Sequence, residues 1–169
     1  TYSLSDDNDG LFSINSESGI VYVSDNTKLD YEENIDHIIT LRASSSDGTF
    51  SEKQFLINVT DVNEAPFLNG SYTTTTEENS SVDTVIYHAD ASDPDGDDLT
   101  YSVTGTDASY VSIDTDGHIR LIEQADYETK DSYTFDVRAF DGELSDTQTV
   151  TVNVTDVNEA PFLNGSYTT

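Results

Sequence analysis

The sequence contains no cysteine, no methionine and no tryptophan. Without cysteine there is no disulfide framework and no thiolate metal site. Without methionine the initiator is missing, and the chain reads as a processed form or an excised fragment. No apolar run approaches the roughly 18 residues that a membrane-crossing helix requires. No signal peptide is visible, so any export signal is expected outside this segment. Cationic side chains are scarce: 6 Lys and Arg stand against 34 Asp and Glu, a net charge of −28. That balance excludes nucleic acid as a ligand, because phosphate contacts need clustered cations. It excludes anionic membrane surfaces on the same grounds.

What remains is a chain of 169 residues, 34% hydrophobic, with ten Tyr and seven Phe. The length allows one or two domains. The apolar content is lean for one large core and sufficient for small β-sandwiches. So much like charge would push a compact state apart unless counterions intervene. Two compatible readings of the charge follow: a solvated acidic surface suited to a salty medium, and a subset of carboxylates that binds divalent cations. Disorder, the third reading, conflicts with the strand patterning below.

An internal repeat organises the chain. Residues 58–74 read NVTDVNEAPFLNGSYTT, and residues 153–169 repeat that string 95 positions later. Asp30-Tyr31-Glu32 returns as Asp126-Tyr127-Glu128, and Arg42-Ala43 as Arg138-Ala139. Thr1-Tyr2-Ser3-Leu4 pairs with Thr100-Tyr101-Ser102-Val103. This phase predicts an incomplete repeat over 1–64 that lacks its first strands, a complete repeat over 65–159, and the first strand of a following repeat over 160–169. The chain then reads as a window on a longer tandem array. The first repeat would leave sheet edges that a neighbouring chain must cover, unless that unit is poorly ordered.

Each repeat reads as all-β. Tyr133, Phe135, Val137 and Ala139 alternate with Thr134, Asp136 and Arg138, the period of a half-buried strand. Ile39, Leu41 and Ala43 do the same in the first repeat, and Phe55, Ile57 and Val59 match Val150, Val152 and Val154. Asp47-Gly48, Asp95-Gly96, Asp116-Gly117 and Asp141-Gly142 are turn signals. No stretch has convincing helical periodicity. About seven short strands in 95 residues fit an Ig-like Greek-key β-sandwich.

The acidic residues recur at fixed places: Asp30 and Glu32, then Asp61, Asn63 and Glu64 ahead of Ala65-Pro66, then Asp93-Pro94-Asp95, then Asp141 at a strand end. In tandem sandwiches these positions can converge on the boundary between repeats. Clustered carboxylates, with Asn and backbone carbonyls, are the ligand set of a hard cation such as Ca2+, which takes six to eight oxygens.

Asp61-Val62-Asn63-Glu64-Ala65-Pro66-Phe67 resembles the linker between cadherin repeats. Leu29-Asp30-Tyr31-Glu32 resembles the cadherin Leu-Asp-Arg-Glu motif, and Asp93-Pro94-Asp95 its Asp-x-Asp motif. Arg138-Ala139-Phe140-Asp141-Gly142 is similar to the Ala-x-Asp-x-Gly strand end, and Glu78-Asn79 to the base glutamate. The acidic bias and the Asn-Glu-Ala-Pro variant look more like prokaryotic cadherin-like repeats of large surface proteins than animal adhesion cadherins. The resemblance implies an extracellular or cell-surface segment with Ca2+ bound between repeats. Carried over, Asp30, Glu32, Asp61, Asn63 and Glu64 would come from the first repeat, and Asp93, Asp95 and Asp141 from the second. The next boundary would use Glu78, Asp126, Glu128, Asp156, Asn158 and Glu159. The linker is one residue shorter than the family's usual Asp-x-Asn-Asp-Asn-Ala-Pro, so a three-ion cluster would shrink.

Other signals are weaker. From Asp93, an EF-hand count meets Asp98 where Gly is needed and Thr104 where Glu is needed. His37, His88 and His118 are scattered, none with a partner at metal-ligand spacing. No Gly-x-Ser-x-Gly turn exists, and carboxylates flanking a linker suit an ion better than glycosidic chemistry. The expectation is therefore a non-enzyme. Five glycosylation triplets begin at Asn58, Asn69, Asn79, Asn153 and Asn164. The leading function is a calcium-rigidified extracellular spacer or adhesion repeat whose partners are neighbouring repeats of the same chain. Two alternatives stand beside it. One is a calcium-dependent carbohydrate-binding module using Tyr110, Tyr127 or Tyr133, although Tyr133 reads as core. The other is a homotypic filament-forming module whose partner is the same protein on another chain.

Overall fold

The computed structural model describes residues 1–161, so the strand expected over 160–169 lies almost wholly outside the described residues. Contacts divide the chain into two compact units, Thr1–Val62 and a second beginning at Asn63.

Among the described residues the second unit is a β-sandwich of nine strands: β6 (Phe67–Leu68), β7 (Thr73–Glu77), β8 (Tyr87–His88), β9 (Ala91–Ser92), β10 (Thr100–Thr104), β11 (Val111–Ile113), β12 (His118–Leu121), β13 (Ser132–Phe140) and β14 (Ser145–Thr155). One sheet has the order β10-β13-β14-β7, the other β11-β12-β8, and β6 pairs with β9. All pairs are antiparallel except β14 with β7, where Thr151–Thr155 run alongside Thr73–Glu77. The long hairpin β13–β14 is the spine. Its alternation puts Tyr133, Phe135, Val137 and Ala139 on one face, where they are buried with Val150, Val152 and Val154 from β14. Ile86, Tyr87, Val111, Ile119 and Leu121 close the core from the facing sheet. The hairpin turns at Asp141-Gly142: Asp141 Oδ1 accepts the N–H groups of Glu143 and Leu144, both at 2.6 Å, and Gly142 takes φ +114°.

The first unit contains β1 (Tyr2–Asp6), β2 (Phe12–Ile14), β3 (Val21–Val23), β4 (Asp36–Ser44) and β5 (Phe50–Asn58). They form a sheet β1-β4-β5 and a ribbon β2-β3. These strands correspond in sequence to β10, β11, β12, β13 and β14 respectively, so the counterparts of β6 to β9 have no place among them. The consequence is a thin core of Leu11, Phe12 and Ile39, flanked by half-buried Leu4, Val21, Leu29 and Ile57. Phe55 is 42% exposed, whereas its repeat counterpart Val150 is 0% exposed. His37 is buried in β4 with its ring edge against Phe12.

A buried charge pins the spine. Asp107 Oδ2 accepts the Thr134 N–H at 2.7 Å, and Oδ1 pairs with Lys130 Nζ at 3.0 Å. Burial alone would raise its pKa; the Thr134 N–H and the Lys130 ammonium outweigh that and hold it below the ordinary value.

Two measurements follow. Phe135→Ala should cost about 3–5 kcal/mol in urea unfolding, the usual loss for an aromatic core residue, while Phe55→Ala costs under about 1 kcal/mol. Because the folded pKa of Asp107 lies below its unfolded one, its contribution is complete above about pH 4 and is lost as pH falls further. A melting-temperature series across acid pH should therefore fall less steeply for Asp107→Asn than for the parent chain.

Candidate metal centre

Most of the expected ligands in the second unit lie in two groups, set apart by the length of β13. Nine residues at about 3.3 Å each make that roughly 25–30 Å.

The first group lies where β13 ends. Asn63 Nδ2 donates to Asp141 Oδ2 at 3.0 Å. The Glu64 N–H donates to Asp95 Oδ2 at 2.8 Å. The segment ahead of β6, the β9–β10 loop and the β13–β14 turn thus meet. Asn63 and Glu64, expected from the first repeat, hydrogen-bond within the second unit. The β9–β10 loop folds on Asp93, whose Oδ1 accepts the N–H groups of Asp95 at 3.0 Å and Asp97 at 3.2 Å. That leaves Asp93 Oδ2 and Asp95 Oδ1 buried with no hydrogen-bond partner among the described residues. Buried carboxylate oxygens are rarely left so, because an unmatched anionic acceptor is costly. Desolvation pushes the Asp141 carboxyl up, but the N–H groups of Glu143 and Leu144 and the Asn63 amide win and hold it low, hence charged.

The second group lies where β13 begins. Glu78 follows β7 and is only 3% exposed. Its Oε1 accepts the Val157 N–H at 2.7 Å and its Oε2 the Tyr127 N–H at 2.9 Å. A buried carboxylate therefore ties the β12–β13 loop to the segment after β14. Carboxylate oxygens of Glu78, Glu128 and Asp156 lie within 4.8 Å of one another. The Glu128 backbone N–H favours its charged form, but desolvation and the charges of Glu78, Glu159 and Asp156 outweigh this and hold its carboxyl above the ordinary range. Glu159 joins through Asn79, whose Nδ2 donates to Glu159 Oε1 at 2.7 Å. Asp126 is engaged in its own turn, accepting from the Thr129 N–H and hydroxyl at 3.1 and 2.9 Å. Asn158 is exposed just beyond β14.

In the first unit, Asp30 Oδ1 caps its turn by accepting the Glu33 N–H at 3.0 Å; Glu32 and Asp61 are exposed. The leftover oxygens in both groups of the second unit are anionic and hard, the donor chemistry of an alkaline-earth dication. They fit such an ion.

Two arrangements escaped the sequence. Asn79 reads there as half of a motif and a glycosylation triplet, yet its amide orients Glu159. Asp114, Asp116 and His118 also bring potential ligand atoms within 4.8 Å of one another; only the Asp-Gly turn hinted at it. Among the tyrosines, Tyr133 is buried, and Tyr110 packs on it at 5.6 Å with Lys130 Nζ 5.5 Å over its ring.

An Ig-like sandwich with acidic groups where its strands begin and end defines the class. The comparisons give the family. The bacterial Ig domain description matches residues 63–153, and the chain belongs to that family. It is also cadherin-like throughout. Human protocadherin Fat 1 is 35% identical across 99% of the chain, and human cadherin-8 34% across 95%. The chain spans 4% and 22% of those two proteins. Among solved structures, mouse cadherin-23 EC22-24 superposes with a TM-score of 0.67 at 27% identity, covering 92% of this chain and 52% of that one. Drosophila N-cadherin EC1-4 gives 0.66 at 26%, covering 92% and 41%. The segment is a cadherin-like tandem repeat of extracellular or cell-surface type. No helix among the described residues is long and apolar enough to cross a membrane.

Truncating the buried carboxylate isolates its structural share. Glu78→Ala strands the Tyr127 and Val157 N–H groups, at roughly 1–3 kcal/mol each if water does not reach them. Urea unfolding in chelator should register that loss before any ion is added.

Proposed function

We propose that the chain is a calcium-rigidified spacer and adhesion repeat of a larger surface protein. The repeats are 1–64 and 65–159, with a third beginning at 160. Each sandwich is a strut, and the boundary between struts is a hinge. Ca2+ held by Asp30, Glu32 and Asp61 of one repeat together with Asn63, Glu64, Asp93, Asp95 and Asp141 would restrain that hinge. Glu78, Asp126, Glu128, Asp156, Asn158 and Glu159 form the corresponding set for the next repeat. The observation that carries the reading is the pair of buried, unpartnered oxygens, Asp93 Oδ2 and Asp95 Oδ1. Relatives across the length of the chain are cadherins, which supports the ion and the adhesive role. Extracellular calcium modules bind at roughly 10⁻⁴–10⁻³ M, so such sites fill outside the cell and empty within it. The proposal assigns no reaction to the chain. The polysaccharide alternative needs exposed aromatic faces; of its three candidates Tyr133 is buried, while Tyr110 and Tyr127 are exposed, Tyr110 with Lys130 Nζ 5.5 Å from its ring.

Thermal unfolding tests it. At tenfold its dissociation constant an ion contributes about 1.4 kcal/mol, so Ca2+ should raise Tm by about 5–10 °C over chelator. Asp93→Asn with Asp95→Asn should remove most of that rise. Identical melting of the parent chain with and without Ca2+ would count against the reading.

The homotypic alternative has one observation of its own. β14 is paired on both edges, by β13 and β7, while β5 pairs with β4 alone among the described residues. Asn58-Val59-Thr60 repeats Asn153-Val154-Thr155, the residues that β7 lies beside. Phe50, Phe55 and Leu56 are exposed along this strand. In the homotypic alternative a β7-like strand from a second copy would pair with this edge. Light scattering across a concentration series should then show a dimer that Leu56→Pro abolishes; a monomer at every concentration excludes it.

A further inference from the structure

The three histidines look unrelated in sequence, but the sheet β11-β12-β8 brings two of them face to face. His88 and His118 are direct register partners in the antiparallel pair of β8 with β12. Their rings stack with centroids 4.8 Å apart and planes inclined by 23°. The stack lies beside the β11–β12 turn. There His118 Nδ1 is 3.3 Å from Asp114 Oδ1, and His88 Nε2 is 3.1 Å from the Asp116 carbonyl oxygen. A His118 nitrogen and carboxylate oxygens of Asp114 and Asp116 lie within 4.8 Å of one another. His88 is exposed and His118 half-buried, so an ion has access to both from solvent.

The scaffold beneath is stiff. Asp114 Oδ1 accepts the N–H groups of Asp116 at 3.1 Å and His118 at 2.9 Å, and Oδ2 holds Arg120 Nη1 at 2.7 Å. Gly117 closes the turn at φ +80°, where a Cβ would stand 2.8 Å from the Ala89 carbonyl oxygen. The donors are therefore presented by a fixed turn and two paired strands, the kind of support that makes a ligand set precise. Arg120 occupies one oxygen of Asp114, which leaves Asp116 and His118 as the ligands already gathered, while the stacked His88 would join them by turning its Nε2 from the Asp116 carbonyl to the ion.

Donor type decides the ion. Two imidazoles with carboxylate oxygens suit a borderline dication such as Zn2+, Cu2+ or Ni2+, whereas Ca2+ prefers oxygen alone. The chain has no cysteine to compete for such an ion, and its net charge of −28 attracts dications generally. None of these residues belongs to the two acidic groups described above. We propose that His88, His118 and Asp116, supported by Asp114, form a surface site for one borderline transition-metal dication, with Zn2+ as the working ion.

The test is Zn2+ titration of the whole chain by calorimetry at neutral pH, with millimolar Ca2+ present throughout to occupy the carboxylate sites. One equivalent should bind, at least tenfold more weakly in His88→Gln and in His118→Gln. In parallel, the ring-proton NMR signals of His88 and His118 should move together and saturate at one Zn2+, with those of His37 unmoved. This readout needs no variant and so does not depend on a substituted chain folding. The proposal is overturned by an absence of Zn2+ binding, by unchanged affinity in both variants, or by ring signals that do not respond.

Discussion

Like charge gathered at the two ends of a small sandwich is the constraint that organises this molecule. Glu78, Glu128 and Asp156 stand close enough to repel one another at one end. At the other, Asp93 and Asp95 each keep a buried oxygen that no N–H satisfies among the described residues. Two unit charges at 4 Å interact by about 1 kcal/mol in water and about 4 kcal/mol at a protein surface. A fold that holds several such pairs needs counter-charge. The backbone supplies part of it: Glu78 takes two N–H groups, Asp141 two, Asp93 two. Those bonds build the turns in which the carboxylates sit. They do not neutralise them, as the proposed dication would.

The spine connects these ends. β13 is a nine-residue strand whose apolar face is wholly buried, so it cannot bend without opening the core. Asp141 stands at its end, and the Asp126–Glu128 loop just before its start. An ion bound at either group therefore acts on a stiff lever, which is the physical basis for reading the sandwich as a strut. The first unit shares the strand pattern around a smaller core of Leu11, Phe12 and Ile39, with Phe50, Phe55 and Leu56 exposed along β5.

Much of this was legible in the residues. The alternation from Tyr133 to Ala139 names both the strand and its buried face, because side-chain direction in a strand follows directly from period two. Glu78 and Asp93-Pro94-Asp95 were visible as motifs, since turns and ligands require particular side chains at fixed offsets. Register was not visible. His88 and His118 lie 30 positions apart, and only the pairing of β8 with β12 makes them neighbours. The same holds for Asn79 and Glu159, joined across 80 positions. Which oxygen of Asp93 or Asp95 is left without a donor also depends on backbone geometry that no spacing encodes.

Anomalous diffraction from crystals grown in millimolar Ca2+ addresses the central claim most directly. The account predicts ion density bonded to Asp93 Oδ2 and Asp95 Oδ1 at about 2.3–2.6 Å, and a further ion among Glu78, Glu128 and Asp156. Well-ordered carboxylates with no ion at either place would contradict it.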